Sequence, residues 1–149
     1  MRTTQDYEVG RGYAAPPPAY GGGPAATGAG WVLFAAILLG LSSIWNLFDG
    51  IAAIAGAHVY ASNANYVFSD LNTWGWIVLF LGLLQGFAAL ALLSGSELAR
   101  WIGIVSAGLN AIGQLMFAPS YPVWSLAMFS VDILIIYGLA VYGGSRLRS

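Results

Sequence analysis

Residues 74–93 read WGWIVLFLGLLQGFAALALL, a run of 20 residues without a charged side chain. Because an α-helix rises about 1.5 Å per residue, about 20 apolar residues cross the ~30 Å hydrocarbon core of a bilayer. Polar residues bound the run on both sides, Asn72 and Thr73 before it and Ser94 after it. The stretch therefore predicts a membrane-spanning helix.

The composition of the whole chain also indicates a protein that lies in lipid and not in water. Of 149 residues, 58% are hydrophobic and 7% are charged, whereas an average soluble domain contains about 25% charged residues. The chain has no cysteine and no basic patch, which excludes a disulfide-stapled secreted module and a nucleic-acid-binding protein. We therefore expect an integral membrane protein whose partner is the lipid bilayer, and no nucleic acid as partner.

Three further apolar runs complete the predicted fold, at residues 31–57, 98–117 and 123–142. The connections after the second and third runs are short and require antiparallel neighbours. The predicted fold class is all-α: an integral membrane four-helix up-down bundle over residues 31–142. The segment 58–73 between the first two spans is compatible with a short helix or with a strand pair.

The chain before the first span is a separate region. Residues 1–30 are rich in Gly, Pro and Ala and contain no hydrophobic run, so they cannot bury enough apolar surface to offset the entropy of ordering. We expect a disordered cytoplasmic tail here and a short cytoplasmic C-terminal tail at 143–149. Pro17-Pro18-Ala19-Tyr20 matches the PPxY pattern that WW domains bind, although a flexible linker of this composition contains such a match easily.

A cleaved signal peptide is the alternative interpretation of the first run. Ala55-Gly56-Ala57 has the small-x-small form of a signal peptidase site. The apolar run before it exceeds the usual ~7–15 residues, and the tail has no net positive charge. We therefore interpret residues 31–57 as a membrane span.

The arginines predict the orientation. Segments 58–73 and 118–122 contain no Lys or Arg, whereas all five basic residues lie in the tails or beside the third span: Arg2, Arg11, Arg100, Arg146 and Arg148. The positive-inside rule then places both termini in the cytoplasm, with Arg100, Arg146 and Arg148 as anchors, and we expect a multipass protein of the plasma membrane. Five of the six tryptophans lie at predicted span ends, where an amphipathic ring prefers the interface.

Small residues predict how the helices pack. In lipid, helices gain little from hiding leucine, so association depends on close approach and on interhelical hydrogen bonds. Gly82 and Gly86 form a GxxxG pair in the second span, and Gly103 and Ala107 have the same spacing in the third. We expect these four positions to form helix contacts.

Polar residues inside the spans predict a layer near mid-membrane. Counted from the span ends, Gln85, Asn110 and Asp132 lie roughly 14–17 Å deep. The candidate intramembrane polar layer consists of Ser42, Ser43, Asn46, Asp49, Gln85, Asn110, Gln114 and Asp132.

Asp132 is the most informative member of this layer. An ionised carboxylate at the centre of a span costs about 2.5–3.5 kcal/mol even on lenient insertion scales. No Lys or Arg lies at its depth in the chain. We expect Asp132 to face the interior and to hydrogen-bond with Asn110, Gln85 or a serine of the first span. The layer then serves either as structural hydrogen bonding or as a path for a proton, an ion or a small solute.

The sequence contains few residues that could form the active site of an enzyme. His58 is the single histidine, and the chain contains no HExxH, GxSxG or Gly-rich phosphate loop. We expect no catalytic residue, no cofactor and no metal site. Glu97 and Arg100 fit a helix-start acid and an interfacial anchor.

Five local motifs resemble a family of small four-helix integral membrane proteins, common in actinobacteria, that is known only as a domain of unknown function. They are Gly30-Trp31, Asn65-Tyr66-Val67-Phe68, Trp74-Gly75-Trp76, Ala99-Arg100 and Pro119-Ser120-Tyr121-Pro122-Val123-Trp124-Ser125. The resemblance extends from Trp31 to about Tyr142. Family members often have His where this chain has Val78, and Trp where it has Leu98. The resemblance implies the four-span fold and no activity.

The sequence predicts a non-enzymatic multipass membrane protein that acts through helix–helix association, with a second copy of itself or with another membrane protein. The alternative is a small transporter or channel-like protein that uses the polar layer around Asp132. A continuous polar cavity from segment 58–73 to Asp132 would favour the second interpretation, and a closed core the first.

Overall fold

The computed structural model describes residues 23–55 and 71–144, and these residues are helical except at short connections. The helices are α1 (Pro24–Ile54), α2 (Leu71–Leu93), α3 (Glu97–Phe117) and α4 (Pro122–Tyr137). A π-helical segment, Gly138–Tyr142, continues α4. The predicted all-α class with four helices is confirmed.

Several predicted features lie outside the described residues. They are residues 1–22 of the tail with its PPxY pattern, most of the segment 58–73 with His58, and the C-terminal anchors Arg146 and Arg148. Predictions for them stay predictions.

Local signals set the helix ends. Pro24 lies in the first turn of α1, where its missing N–H costs nothing, so the helix begins ahead of the predicted start at Trp31. α2 ends at Leu93, and Gly95 follows with a φ of 79°, the left-handed conformation that glycine adopts freely. Ser96 then caps α3, because its Oγ accepts a hydrogen bond from the Ala99 N–H at 3.3 Å.

Three of the described helices are long and apolar enough to cross a membrane: Ala26–Ile54, Asn72–Leu93 and Pro122–Tyr142. They correspond to the first, second and fourth predicted spans. α3 does not reach the same hydropathy, because it contains Ser106, Asn110 and Gln114 as well as charged residues in its first turns.

The two faces of α3 explain its lower hydropathy. Its buried face consists of small and polar residues, namely Ala99, Gly103, Ser106, Ala107, Asn110 and Ala111. Its outward face consists of exposed large apolar residues, including Leu98, Trp101, Val105, Leu109, Ile112 and Met116. This arrangement is the reverse of a helix on a water-soluble protein, where the apolar stripe faces inward.

Glycines hold α1 and α2 at close approach. A Cβ on Gly50 would lie 2.7 Å from the backbone N of Leu79, and one on Gly82 would lie 3.0 Å from the backbone N of Leu47. Ser43 Oγ donates to the Gly82 carbonyl oxygen at 2.7 Å across the same contact. Backbone atoms cannot yield as a side chain does, so these positions require glycine.

Contacts divide the molecule into two halves. One end contains the start of α1, the end of α2, the start of α3 and the π-helical segment, and we call this end the terminal half. There Trp31 stacks on Tyr142 with ring centroids 5.6 Å apart. We call the opposite end the loop half, where Trp74 packs on Phe117 and Trp45 packs on Trp124.

Candidate functional site

One polar side chain from each helix joins a buried hydrogen-bond network. Asn46 Nδ2 donates to Gln85 Oε1 at 2.7 Å and to Asn110 Oδ1 at 3.2 Å. Asn110 Nδ2 donates to Asp132 Oδ2 at 2.8 Å. We call Asn46, Gln85, Asn110 and Asp132 the polar network. It connects α1 with α2 and α3, and α3 with α4.

The network lies at the centre of the packed helices. All four side chains are buried, with Gln85 and Asp132 at 0% exposure. A buried amide or carboxyl group that loses its partner costs about 1–3 kcal/mol, so the network favours one register of the four helices over others.

The network and its neighbours retain unused hydrogen-bonding capacity. Among the described residues, four buried polar atoms in this region have no partner: Ser42 Oγ, Gln85 Nε2, Ser125 Oγ and Asp132 Oδ1. Buried polar groups in proteins are almost always hydrogen-bonded. These atoms are therefore candidates for hydrogen bonds with a bound molecule.

A cavity of about 480 Å³ lies in the loop half, directly beside the network. Its polar lining residues come from three helices and are Asn46, Asp49, Asn110, Gln114 and Ser125. Because Asn46 and Asn110 belong to both the lining and the network, the network forms the floor of the cavity. Asp132 lies one hydrogen bond behind that floor.

Aromatic rings form much of the cavity wall. Trp74, Phe117, Tyr121 and Trp124 line it, and the rings of Trp74 and Phe117 are 5.1 Å apart. This group comes from α2, from the end of α3 and from the start of α4. The cavity therefore combines aromatic and polar lining residues.

The rim of the cavity is apolar and faces outward. Phe80 on α2 and Ile112 and Met116 on α3 line the cavity, and their side chains are also exposed on the outside. The cavity therefore reaches the apolar outer surface of the molecule along α2 and α3.

The terminal half has a different interior. Aliphatic and small side chains fill the space between the helices there, and Leu39, Ile135 and Leu139 are fully buried. No residue of this aliphatic core lines the cavity. The cavity thus extends from the loop half to the polar network, and close packing lies below it.

The charges around the cavity are of one sign. Asp49 is a lining residue and Asp132 lies behind the floor, whereas none of the described lining residues is Lys, Arg or His. The sequence contains no Lys or Arg between Arg11 and Arg100, or between Arg100 and Arg146. Among the described lining residues of the cavity, the acidic side chain of Asp49 therefore has no basic counterpart.

The structure places the other predicted site residues as follows. Ser42 and Ser43 are buried on α1, and Gln114 and Asp49 line the cavity. Gly82 and Gly86 lie against α1, whereas Gly103 lies against Leu139. Ala107 is fully buried in the aliphatic core.

Arg100 lies at the terminal end of α3. Its guanidinium forms an ion pair with Glu97 at 2.9 Å and lies 5.2 Å from the Trp101 ring centroid. A Cβ on Gly143 or Gly144 would collide with the Arg100 side chain, so these two glycines make room for it.

The sequence-based layer omits Ser125 and the aromatic lining. Ser125 is 2% exposed and lies seven residues before Asp132, which is two helical turns along the same face. That spacing is a signal that identifies Ser125. No comparable signal identifies the meeting of Trp74 and Phe117, because it depends on how α2 and α3 are rotated.

The described residues contain no group of three or more His, Cys, Asp or Glu side chains that could hold a metal ion. The arrangement is instead one of hydrogen-bonding amides, hydroxyls and carboxyls beside aromatic rings. Such a mixture of apolar walls and few convergent polar groups is typical of small-molecule sites.

Comparison with known proteins identifies a family and no function. No curated protein and no solved structure matches the chain. A family model described as a domain of unknown function (DUF7144) matches residues 31–144, which include all of α2, α3 and α4 and most of α1. The chain belongs to this family of unknown function, DUF7144.

Proposed function

We propose that the chain is a non-enzymatic plasma-membrane protein that binds a small ligand in the cavity of the loop half. In this proposal four spans form an up-down bundle with both termini in the cytoplasm, and the cavity lies in the non-cytoplasmic half of the bundle. We also propose that the family is common in actinobacteria.

The distribution of polarity supports membrane insertion of all four helices. Each helix presents large apolar side chains outward, among them Phe48, Phe87, Leu109 and Leu126. The interior contains the polar network and several serines. This pattern suits lipid, where small and polar residues mediate helix contacts. It supports α3 as the fourth span despite its lower hydropathy.

The arginines support the orientation. Arg100 lies in the terminal half, and the loop half contains no basic residue among those described. The positive-inside rule then assigns the terminal half to the cytoplasmic side.

The cavity supports ligand binding, and its contact with the polar network is the observation that carries the proposal. Its volume of about 480 Å³ lies within the usual range of small-molecule pockets, about 300–1,000 Å³. Ser125 contributes a hydroxyl without a partner to the lining, and Asn46 and Asn110 contribute amides. The lining contains no nucleophile paired with a base, which supports binding without catalysis.

Transport is the second candidate function. The cavity comes within one hydrogen bond of Asp132, which favours a path through the polar layer. The aliphatic core around Leu39 and Leu139 lies on the other side of the network and opposes an open pore. Binding from one side therefore has more support than conduction.

Helix–helix association with a second copy or with another membrane protein has less support. The small residues that favoured it, Gly82, Gly86, Gly103 and Ala107, are engaged in contacts within the chain. They support folding of the single chain, and association between chains stays a prediction.

Cysteine reactivity tests the proposal, because the chain has no native cysteine. We expect a small neutral thiol reagent to modify Ser125→Cys at least about tenfold faster than Ser106→Cys, a difference of about 1.4 kcal/mol in barrier. Ser106 is the matched control, since it is fully buried and does not line the cavity. Equal rates at the two positions in the folded protein would show that no accessible cavity reaches Ser125.

A further inference from the structure

We propose that the ligand is a lipophilic monovalent cation: an organic ammonium or phosphonium with an apolar body. This inference rests on the proposed function, because it assigns a ligand class to the same cavity. Charge, aromatic lining and the position of the opening support it independently of one another.

The charges select the sign of the ligand. Asp49 lines the cavity, and Asp132 lies behind Asn110 at its floor. No described lining residue is basic, and the sequence places no Lys or Arg between Arg11 and Arg100. Among the described lining residues, an anionic head group would therefore meet the Asp49 carboxyl group and no basic side chain, whereas a cation meets complementary charge.

The aromatic lining selects a diffuse cation over a hydrated one. Trp74, Trp124 and Tyr121 line the cavity, and cations bind aromatic rings through the ring quadrupole, most strongly on tryptophan. Quaternary ammonium groups are recognised in aromatic cages of this composition. A small metal ion instead needs several oxygen ligands, and the described residues contain no cluster of three acidic or His side chains.

The opening selects an apolar body. Phe80, Ile112 and Met116 form a rim on the outer flank between α2 and α3. In a membrane this flank faces lipid, so a ligand that partitions into the bilayer reaches the cavity without crossing the aliphatic core.

The buried acceptors complete the site. Ser125 Oγ and Asp132 Oδ1 have lone pairs that no described donor uses, and both side chains are at most 2% exposed. Of the two, only Ser125 lines the cavity, so its Oγ is the buried acceptor that a bound cation meets, whereas Asp132 lies behind Asn110.

Two isosteric probes test the sign of the charge. Full-length protein in nanodiscs of zwitterionic lipid is titrated with tetraphenylphosphonium and, separately, with tetraphenylborate, which has a similar shape and the opposite charge. Empty nanodiscs measure partitioning into lipid. We expect saturable binding of the phosphonium above this background and none of the borate.

Variants locate the binding site. We expect Asp49→Asn, which keeps the side-chain shape, and Trp124→Leu each to weaken phosphonium binding by about five- to tenfold. Trp101→Leu is the matched control for the tryptophan, because Trp101 is exposed on α3 and does not line the cavity. Its binding should match that of the unmodified protein.

The outcomes separate the two proposals. Borate binding as tight as phosphonium binding, or unchanged binding in Asp49→Asn and Trp124→Leu, overturns the cation inference. If no phosphonium binds while Ser125→Cys keeps its selective reactivity, the cation inference is wrong and the cavity proposal stands. If that reactivity is also absent, both are wrong.

Discussion

The two halves of the molecule are built from the same helices and differ in what fills the space between them. In the terminal half, small and aliphatic side chains pack to full burial around Leu39, Ile135 and Leu139. In the loop half, aliphatic and aromatic side chains line a cavity of about 480 Å³ whose floor is polar. The difference teaches that one helix assembly combines a rigid packed end with a concave end suited to binding.

The polar network marks the boundary between the halves. Asn110 belongs to it and also lines the cavity, whereas its close neighbour Ala107 belongs to the aliphatic core. One turn of α3 thus separates a binding surface from a packed interior. Three further predictions test whether the two halves differ in packing.

The largest expected effect is on packing in the terminal half. Leu39→Ala should lower the free energy of unfolding by about 2–4 kcal/mol, because a fully buried side chain leaves a void that its neighbours cannot fill. Leu41→Ala is the control, since Leu41 is exposed on the outward face. Reversible unfolding in mixed micelles measures both, and equal losses would contradict a tightly packed terminal half.

A smaller effect is expected at the boundary. Asn110→Leu should cost about 1–3 kcal/mol, because Asp132 loses its donor and Asn46 loses one acceptor. The double variant Asn110→Leu with Asp132→Leu should be more stable than the single variant, since it no longer buries an unpaired carboxyl group. The same unfolding measurement applies. A double variant less stable than Asn110→Leu would mean that the Asn110–Asp132 pair stabilises the fold by more than the pairing of buried polar groups.

The smallest expected effect is on flux. If the terminal half is closed, vesicles that contain the unmodified protein or Asp132→Asn should both show background proton flux with a pH-sensitive dye. Asp132→Asn replaces the titratable group and preserves its shape. Flux that is above background in the unmodified protein and lost in Asp132→Asn would establish a transport path. It would contradict a closed terminal half.

Much of the helical framework follows from local sequence. Runs such as Trp74–Leu93 predict helices by length and apolarity alone, because a helix satisfies its own backbone groups. Gly95 and Ser96 encode the turn between α2 and α3 in their own conformations and side chains. The start of α1 is less local, because residues 24–30 lack a hydrophobic run and become helical as an extension of a longer helix.

The site depends less on local sequence. Depth along a helix is countable, so Gln85, Asn110 and Asp132 can be assigned to one level from the sequence. Which of them bond depends on helix rotation: Asn46 bonds to Gln85 and Asn110, whereas Gln114 remains on the cavity wall. Residue spacing does not determine rotation between helices, because several registers bury equal numbers of polar groups.

The sequence alone shows that charged residues are few and where the four apolar helical segments lie. It also shows that the arginines occur only in the tails and beside the third span. These are properties of single segments, and hydropathy and helix length suffice to derive them. Only the tertiary structure decided that Ser125, Trp74 and Trp124 share a cavity with Asn46, and that Leu39 and Leu139 close the other end. Those facts arise from contacts between helices, where a rotation of one helix exchanges a polar neighbour for an apolar one.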